Sequence, residues 1–322
     1  MKNLYYATFE KGYDLIVEKF IKKQDKKAFI KQIYNNAVLF FADEHFPFTN
    51  TLFYNVYFVY DYSKKSGVGA INAELKHLME KKDLKIFMPK EVKKIKLSFI
   101  VESNVKLSVN QNLKVAFETM IKKITKRQIG YFGTDAELAI IVKNDGECIF
   151  GKNITKTNSE FSKITNMAEM LPQKAFALNF LSNPAEKEVS LDPFAEFGMI
   201  SYVRAFSFKK ANIIANESNP ANIPDIKAKA KRLKEKSFSV MNYDFLSNNF
   251  PIKFIDKIVT TLPKSKSKQA AFFEKAYMLK VKVIVLLANR FNEIVCFVNE
   301  FFNVTETYVV GTEKIYKLEL KK

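Results

Sequence analysis

The stretch Val189-Ser190-Leu191-Asp192-Pro193-Phe194-Ala195-Glu196-Phe197-Gly198 decides the fold of the second half of this chain. Its first three residues are apolar or small and predict a short buried strand, which Asp192 and Pro193 end. The apolar spacing after Gly198 predicts a helix over Met199–Phe206. A buried strand that ends in an acidic turn and leads at once into a helix is the unit from which α/β sheets are built.

The same alternation continues on both sides of this stretch. Further strands are predicted at Ala211–Ala215, Ser237–Met241, Ile255–Val259 and Val281–Leu287. Helices are predicted at Pro172–Leu181, Pro220–Lys234, Phe272–Leu279 and Phe291–Glu300, and closing strands at Thr307–Val310 and Tyr316–Leu320. Repeated strand–helix units predict a parallel doubly wound sheet, here with a final antiparallel hairpin.

Acidic residues follow the first three strands of this predicted sheet. Asp192 ends the first, Glu217 the second and Asp244 the third, while Thr261-Leu262-Pro263 ends the fourth. Any one of these acids alone would suit a helix cap or a turn. Ligands of doubly wound sheets bind beyond the carboxyl ends of the strands, so three acids in succession there favour a ligand site.

The first half of the chain predicts one or two α+β units. Strands are expected at Leu4–Phe9, Lys31–Phe41, Thr51–Tyr62, Ile95–Val101, Val105–Val109, Leu138–Val142 and Cys148–Gly151, and helices at Gly12–Lys23, Gly67–Glu80 and Asn110–Arg127. Asn144-Asp145-Gly146 predicts a hairpin turn. We therefore expect an α+β region over residues 1–155, a connector and lead-in helix over 156–183, and a second domain over 184–322.

The chain is strongly basic. Its 52 Lys and Arg residues face 34 Asp and Glu residues, a formal charge of +18. Such a charge favours polyanionic partners, although a Lys-rich host proteome would account for it equally well. The third predicted helix ends in a basic ridge, Lys122, Lys123, Lys126 and Arg127. These side chains suit the negative end of the helix dipole and would equally suit phosphate groups.

The cysteines, the histidines and the hydropathy pattern argue against a metal protein and against a membrane protein. Cys148 and Cys296 each stand in an apolar run and are expected to be buried free thiols. With His45 and His77 the only histidines, no Cys/His metal site is expected. No targeting segment or membrane span is predicted, because the longest apolar runs, such as Val281–Ala288, are too short. A cytoplasmic location is the expectation.

Several motifs resemble those of one family, the THUMP-containing class I S-adenosylmethionine-dependent RNA methyltransferases that act on guanosine N2 of tRNA or rRNA. Asp192–Ile200 is similar to the family's first motif, Asp-Pro-Phe-Ala-Gly-Ser-Gly-Thr-Ile. Thr261-Leu262-Pro263-Lys264 stands where the family has Asn-(Pro/Leu)-Pro-aromatic, and Glu169–Pro184 resembles its lead-in helix. Tyr6–Tyr13, Phe53-Tyr54-Asn55 and Gly133–Gly151 resemble its N-terminal region.

The resemblance implies a ferredoxin-like or THUMP-like α+β region followed by a Rossmann-like class I methyltransferase domain. It also implies S-adenosylmethionine as cofactor and tRNA or rRNA as partner. The implied cofactor residues are Asp192, Phe194, Gly198, Glu217 at the ribose hydroxyls and Asp244 at the adenine amine. Thr261 and Pro263 would line the methyl-transfer site, and Lys264 would contact phosphate.

Two departures from the family pattern bear on activity. Glu196 and Phe197 replace a glycine and its neighbour in the first motif, while Thr261 and Lys264 replace the Asn and the aromatic residue of the catalytic motif. The resemblance therefore supports two functions: a methyltransferase acting on a guanosine amine, weakly or well, and a non-catalytic protein that binds RNA or stabilises a partner. A small-molecule methyltransferase is disfavoured, because such an enzyme needs no basic N-terminal half.

Overall fold

The computed structural model describes residues 2–48, 52–63, 90–101, 111–143, 147–155, 169–208, 211–233, 238–289 and 295–321. The first half of the chain forms an eight-stranded sheet and the second half a seven-stranded sheet. The predicted helix at 67–80, the predicted strand at 105–109 and the predicted turn at 144–146 lie outside the described residues. Among the described helices, none has the length and apolar character needed to cross a bilayer.

The first half of the chain has the predicted α+β architecture, built on the eight-stranded sheet. Its strands are β1 (Asn3–Thr8), β2 (Phe29–Ile33), β3 (Ala37–Ala42), β4 (Asn55–Ser63), β5 (Lys94–Val101), β6 (Gln128–Ile129), β7 (Ala136–Val142) and β8 (Cys148–Asn153). Helix α1 (Asp14–Gln24) follows β1, and α2 (Gln111–Thr125) precedes β6. The strand order is β2-β3-β1-β4-β8-β7-β5-β6, antiparallel throughout except where β5 pairs with β6 and β7.

The prediction of one strand over Lys31–Phe41 is wrong. The structure has two antiparallel strands there, β2 and β3, joined by a turn in which the Tyr34 backbone N–H donates to the Ala37 carbonyl oxygen at 2.7 Å. Asn35 and Asn36 occupy this turn, and asparagine tolerates turn conformations well. The apolar residues on both sides of the two asparagines conceal the turn in the sequence pattern.

The seven-stranded sheet confirms the predicted doubly wound fold. Its strands are β9 (Val189–Asp192), β10 (Asn212–Asn216), β11 (Phe238–Met241), β12 (Lys257–Thr261), β13 (Val283–Ala288), β14 (Phe302–Val310) and β15 (Glu313–Leu320). The helices are α3 (Pro172–Leu181), α4 (Met199–Ser207), α5 (Ile223–Leu233), α6 (Lys266–Met278) and α7 (Val295–Phe301). The order is β11-β10-β9-β12-β13-β15-β14, with β9 to β13 parallel and β14–β15 the expected antiparallel hairpin.

The fourth strand of this sheet lies two residues later than predicted. It spans Lys257–Thr261 rather than Ile255–Val259, and the following helix begins at Lys266 rather than Phe272. Backbone pairing sets this register, because Lys257 and Ile258 align with Ser190 and Leu191 of β9. As a result Thr261 is the last residue of β12, and strand pairing fixes the position of its backbone at the carboxyl end of the sheet.

The lead-in helix α3 packs against the first half of the chain. The Phe20 ring of α1 lies 5.8 Å from that of Phe176 and 5.4 Å from that of Phe180. Gly12 has φ +87°, and a Cβ there would lie 2.9 Å from the Val309 carbonyl oxygen, so only glycine permits this approach to the terminal hairpin. Buried residues of both halves thus share one apolar core, while the domain boundaries at 155 and 183 stay predictions.

A buried ionic network holds the amino ends of the central strands. Arg204 of α4 forms an ion pair with Glu188, and Lys257 at the start of β12 lies 2.6 Å from the same carboxylate. Arg204 also donates to Ser182 at 2.8 Å, just after α3. Burial and, after it, the nearby Arg204 charge lower the pKa of Lys257 to about 8. This network fixes α3 and α4 against the sheet at the end opposite the strand-end acids.

Candidate functional site

A cleft opens at the carboxyl end of the seven-stranded sheet. The chain continues to opposite sides of β9, with β10 on one side and β12 on the other, so this is the topological switch point where ligands of such folds bind. The cleft has about 270 Å³ of empty space, a figure that includes the open solvent at its mouth. It is lined by Glu169, Met170, Asp192, Phe194, Ala195, Glu196, Phe197, Met199, Ile200 and Thr261.

The loop between β9 and α4 forms one wall of this cleft and is held by backbone hydrogen bonds. The Ala195 N–H donates to the Asn216 carbonyl oxygen at 3.0 Å, and the Gly198 N–H donates to the Ala195 carbonyl oxygen at 2.6 Å. Gly198 has φ +84°, and a Cβ there would lie 3.0 Å from Ile226. A glycine is therefore required at the start of α4, where the resemblance expects one.

Glu196 occupies a conformation that usually belongs to glycine. Its φ is +50°, in the left-handed region, which is costly for a residue with a side chain. Its side chain is exposed at the cleft. Partial burial and the Glu217 charge raise the pKa of Glu196, while the positive charge of Lys264 lowers it. The loop thus keeps the backbone of the family's glycine and adds a carboxylate to it.

Asp192 is a buried carboxylate at the end of β9. Its Oδ1 accepts a hydrogen bond of 2.8 Å from the Thr260 hydroxyl, while Oδ2 has no hydrogen-bond partner among the residues that the structure describes. Burial raises the pKa of Asp192 to about 7, and the charges of Glu196 and Glu217 add to the rise, while the Thr260 hydroxyl and the Phe194 N–H oppose it. Asp192 is therefore ready to receive a hydrogen-bond donor or a cation from the cleft.

Glu217 lies buried just after β10 and is tied to two loops. Its Oε2 accepts a 2.8 Å hydrogen bond from the Glu196 N–H, and Oε1 accepts one of 2.8 Å from the Asn219 N–H. A carboxylate has about four acceptor positions, so these bonds leave capacity for a diol. The structure brings Glu217 next to Glu196 and Asp192, as the succession of strand-end acids predicts.

Phe194 and Asp244 differ in their relation to the cleft. Asp244 is exposed three residues after β11, and its Oδ1 accepts a 3.0 Å hydrogen bond from the Leu246 N–H. The Phe194 ring is half-buried and packs 5.9 Å from that of Phe245 and 5.7 Å from that of Phe272. The Phe194 ring is thus part of both the cleft wall and the apolar core. Asp244 does not line the cleft and belongs to an exposed turn.

The residues after β12 form the second wall. Thr261, half-buried, lines the cleft together with Asp192. The Pro263 carbonyl oxygen accepts a 2.6 Å hydrogen bond from Gln269, so one of its two lone pairs is occupied. Lys264 is exposed, and its charge acts on Glu196. The two departures from the family pattern therefore face each other across the same cleft.

Sequence reasoning missed one buried ion pair beside the cleft. Lys229 of α5 lies 2.8 Å from the Glu169 carboxylate and donates to the Phe197 carbonyl oxygen at 2.9 Å. A signal was present, because Lys229 follows Ile226 by three residues and precedes Leu233 by four, on the apolar face of its helix. A lysine on such a face needs a buried partner, which here is Glu169, and Lys229 itself anchors the Glu196 loop through the Phe197 carbonyl oxygen.

The basic ridge lies on the other sheet. Lys122, Lys123 and Lys126 are exposed at the end of α2, and Arg127 is half-buried. The Lys126 N–H donates to the Lys122 carbonyl oxygen at 2.9 Å, so the chain turns sharply there with a Lys126 φ of +57°. These four residues lie together at the end of one helix, whereas Lys264 lies three residues beyond the cleft residue Thr261.

Comparison with solved structures shows which fold this is. No protein-family model and no curated protein matches the chain. TrmN from Thermus thermophilus superposes with a TM-score of 0.77 at 13% identity, covering 99% of both chains. A predicted N6-adenine-specific DNA methylase from Listeria monocytogenes str. 4b F2365 gives 0.65 at 12%, covering 98% of this chain and 96% of the other.

A third similar structure, SMU.472, was crystallised in complex with SAH. Its TM-score is 0.70 at 12% identity, and the superposition covers 100% of this chain and 99% of that one. Sequence identities this low support a shared fold and no statement about activity or substrate. The chain has a mixed α/β architecture, and its second half has the Rossmann-like fold that class I methyltransferases share.

Proposed function

We propose that the chain is an S-adenosylmethionine-dependent RNA methyltransferase that acts on the exocyclic amine of a guanosine, with weakened cofactor binding and slow transfer. The observation that carries the proposal is the convergence of Asp192 and Thr261 on one cleft at the topological switch point. A cofactor position and an acceptor position then lie side by side. The complex of SMU.472 with SAH, in a similar fold, supports the choice of cofactor.

The polar groups of the cleft fit this cofactor in part. S-adenosylmethionine supplies an electrophilic methyl group on a sulfonium centre. Asp192 Oδ2, buried and without a hydrogen-bond partner among the described residues, suits the positive charge of such a ligand. Glu217 retains acceptor capacity for the ribose hydroxyls, and Asp244 would receive the adenine amine at the rim. Glu196 fits poorly, because it brings bulk and negative charge to the loop.

The residues at the proposed methyl-acceptor position are poorly suited to orienting an amine. An amide oxygen and a backbone carbonyl can together accept both amine protons and direct the nitrogen lone pair at a methyl group. Thr261 offers only a short hydroxyl, which is also a donor. The Pro263 carbonyl keeps one lone pair beside its bond to Gln269. Lys264 cannot stack on a base, though it can contact a phosphate, so transfer is expected to be slow.

Replacing Glu196 by glycine is expected to tighten S-adenosylmethionine binding at least tenfold, roughly 1.4 kcal/mol. The change removes the left-handed strain, the bulk and the charge together. Equilibrium dialysis with labelled cofactor measures the effect, and Glu196→Gln, which keeps the bulk and the strain, separates the effect of the charge from that of the other two. Micromolar binding by the unaltered chain, unchanged by the glycine, would mean that the loop adapts around Glu196.

Neutralising the basic ridge is expected to flatten the salt dependence of RNA binding. If Lys122, Lys123, Lys126 and Arg127 each contact a phosphate, changing all four to Gln lowers the slope of log K against log salt by up to about 3. Filter binding of structured RNA at several salt concentrations measures it. Neutralising the exposed Lys227, Lys231, Arg232 and Lys253 is the matched control. An equal slope change in both variants would contradict a ridge-specific contact.

A second function, non-catalytic RNA binding or partner stabilisation, is favoured by one specific observation. Glu196 and the exposed Lys264 are close enough for their opposite charges to interact, at the two places where an active enzyme needs a glycine and an aromatic ring. Such a pair would favour a closed cleft. Cofactor titration separates the two functions, because only the methyltransferase must bind S-adenosylmethionine.

A further inference from the structure

One aromatic ring of the first half stands in solvent. Phe132 is 86% exposed, more than any other large hydrophobic residue among the described ones. It lies between β6 and β7 in the stretch Gly130-Tyr131-Phe132-Gly133. Gly133 has φ +58° with open space around it, so the chain turns freely just after the ring. A single exposed apolar side chain is common on a protein surface, so the residues around Phe132 decide whether it has a role.

The loop that carries Phe132 is fastened on both sides. The Gly130 N–H donates to the Ile95 carbonyl oxygen at 3.0 Å, and the Asp135 N–H donates to the Lys94 carbonyl oxygen at 2.9 Å. The Lys94 Nζ donates to the Phe132 carbonyl oxygen at 2.7 Å. The Asp135 carboxylate accepts the backbone N–H groups of Lys93 and Lys94, both at 2.9 Å. The ring is therefore presented by an anchored backbone.

Its neighbour Tyr131 is held against α2 and leaves Phe132 as the free ring. The Tyr131 hydroxyl donates to Glu118 at 2.9 Å, and the Lys114 Nζ lies 4.8 Å from the Tyr131 ring centroid. Tyr131 thus supports the loop on one side. The Phe132 ring makes no aromatic contact with the residues that the structure describes.

The surroundings of the loop are basic. Residues 90–101 and 111–137 contain nine Lys or Arg and four Asp or Glu. The basic ridge adjoins the loop directly, since Arg127 precedes β6 and the Gln128 N–H donates to the Lys93 carbonyl oxygen at 3.1 Å. Exposed cations beside an exposed ring form the pattern that binds single-stranded nucleic acid, in which phosphates meet the charges and a base stacks on the ring.

We propose that Phe132 is a stacking platform for an unpaired base of the RNA, with the basic ridge holding the adjoining phosphates. The inference rests on the proposed RNA function and names the feature recognised, a single-stranded nucleotide. The charge favours RNA over an apolar protein partner. The isolated ring favours a single strand over a duplex, because paired bases present no free face.

The chain contains no Trp, which makes a direct test available. Phe132→Trp introduces the sole indole, and stacking of a base on it is expected to quench its fluorescence. The full-length variant is titrated with a single-stranded oligouridine, a blunt RNA duplex and inorganic polyphosphate. Phe254→Trp, at a Phe that is 62% exposed in the second half, is the matched control. Quenching by the single strand alone, at position 132 alone, is the expected result.

Removal of the ring provides a second readout. Phe132→Ala is expected to weaken single-strand binding about fivefold or more and to leave duplex and polyphosphate binding unchanged. Phe29→Ala, at a Phe that is 61% exposed on β2, should alter none of them. Unchanged single-strand affinity with unquenched indole would overturn the stacking proposal, while salt-dependent binding through the ridge would still support the RNA function. Absence of binding to any RNA would overturn both.

Discussion

The combined change Thr261→Asn and Lys264→Tyr, made together with Glu196→Gly, is expected to raise methyl transfer to guanosine by about two to four orders of magnitude. The asparagine supplies an acceptor for the amine, and the tyrosine supplies a stacking surface for the base. Each is worth about 1–3 kcal/mol at the transition state. Together they correspond to the stated rate increase. The glycine is needed because the cofactor must first enter the cleft.

Methyl incorporation into total RNA from a strain that lacks this protein measures the increase. Lys268→Tyr, at an exposed lysine one turn into α6, is the matched control and should leave the rate unchanged. Fast, site-specific transfer by the unaltered chain would contradict the account. It would mean that Thr261 and Lys264 orient a different substrate atom from the guanosine amine.

Asp192→Asn is expected to stabilise the protein at pH 8 by on the order of 2–4 kcal/mol. The folded-state pKa of Asp192, about 7, lies above the ordinary aspartate value of 3.8, so the folded chain holds this proton more tightly than the unfolded chain. Stability therefore falls as pH rises from about 4 to 7, and the full penalty is present above pH 7. Asparagine keeps an oxygen acceptor for Thr260 and cannot ionise.

Denaturant unfolding of both proteins at pH 5 and pH 8 measures this effect. The gain should be small at pH 5 and largest at pH 8. Asp244→Asn serves as the matched control, because Asp244 is exposed and the change should remain within about 0.5 kcal/mol. If the asparagine at position 192 were destabilising at pH 8, the carboxylate would be held ionised by a partner that the cleft does not reveal.

Much of the fold can be predicted from local pattern alone. The alternation of strands and helices in the second half predicts the doubly wound sheet and its closing hairpin, since each element carries its own hydrophobic period. Register is harder to predict. The strand placed at Ile255–Val259 lies two residues later because its pairing with β9 decides its limits, and that pairing is a tertiary property. The turn between β2 and β3 is not predicted, because no glycine or proline marks it in the sequence.

The candidate site was predictable to the extent that it depends on strand ends. Asp192, Glu217 and Thr261 follow or end three neighbouring parallel strands of one sheet, β9, β10 and β12, so their meeting at one edge follows from topology. The Glu169–Lys229 pair joins helix α5 to the segment just before α3, and no sequence spacing reveals that contact. The electrostatic interaction of Lys264 with Glu196 is likewise tertiary, and it links the two departures from the family pattern.

The central claim, that the cleft at the carboxyl ends of β9, β10 and β12 binds S-adenosylmethionine, is tested most directly by calorimetric titration. We expect weak but saturable binding heat from the unaltered chain. Binding should be tighter at pH 8 than at pH 6, because a cationic ligand prefers ionised Asp192. The same heat should be absent in Asp192→Asn, although that variant is the more stable protein. No saturable binding at either pH, in the unaltered chain and in Glu196→Gly alike, would contradict the claim.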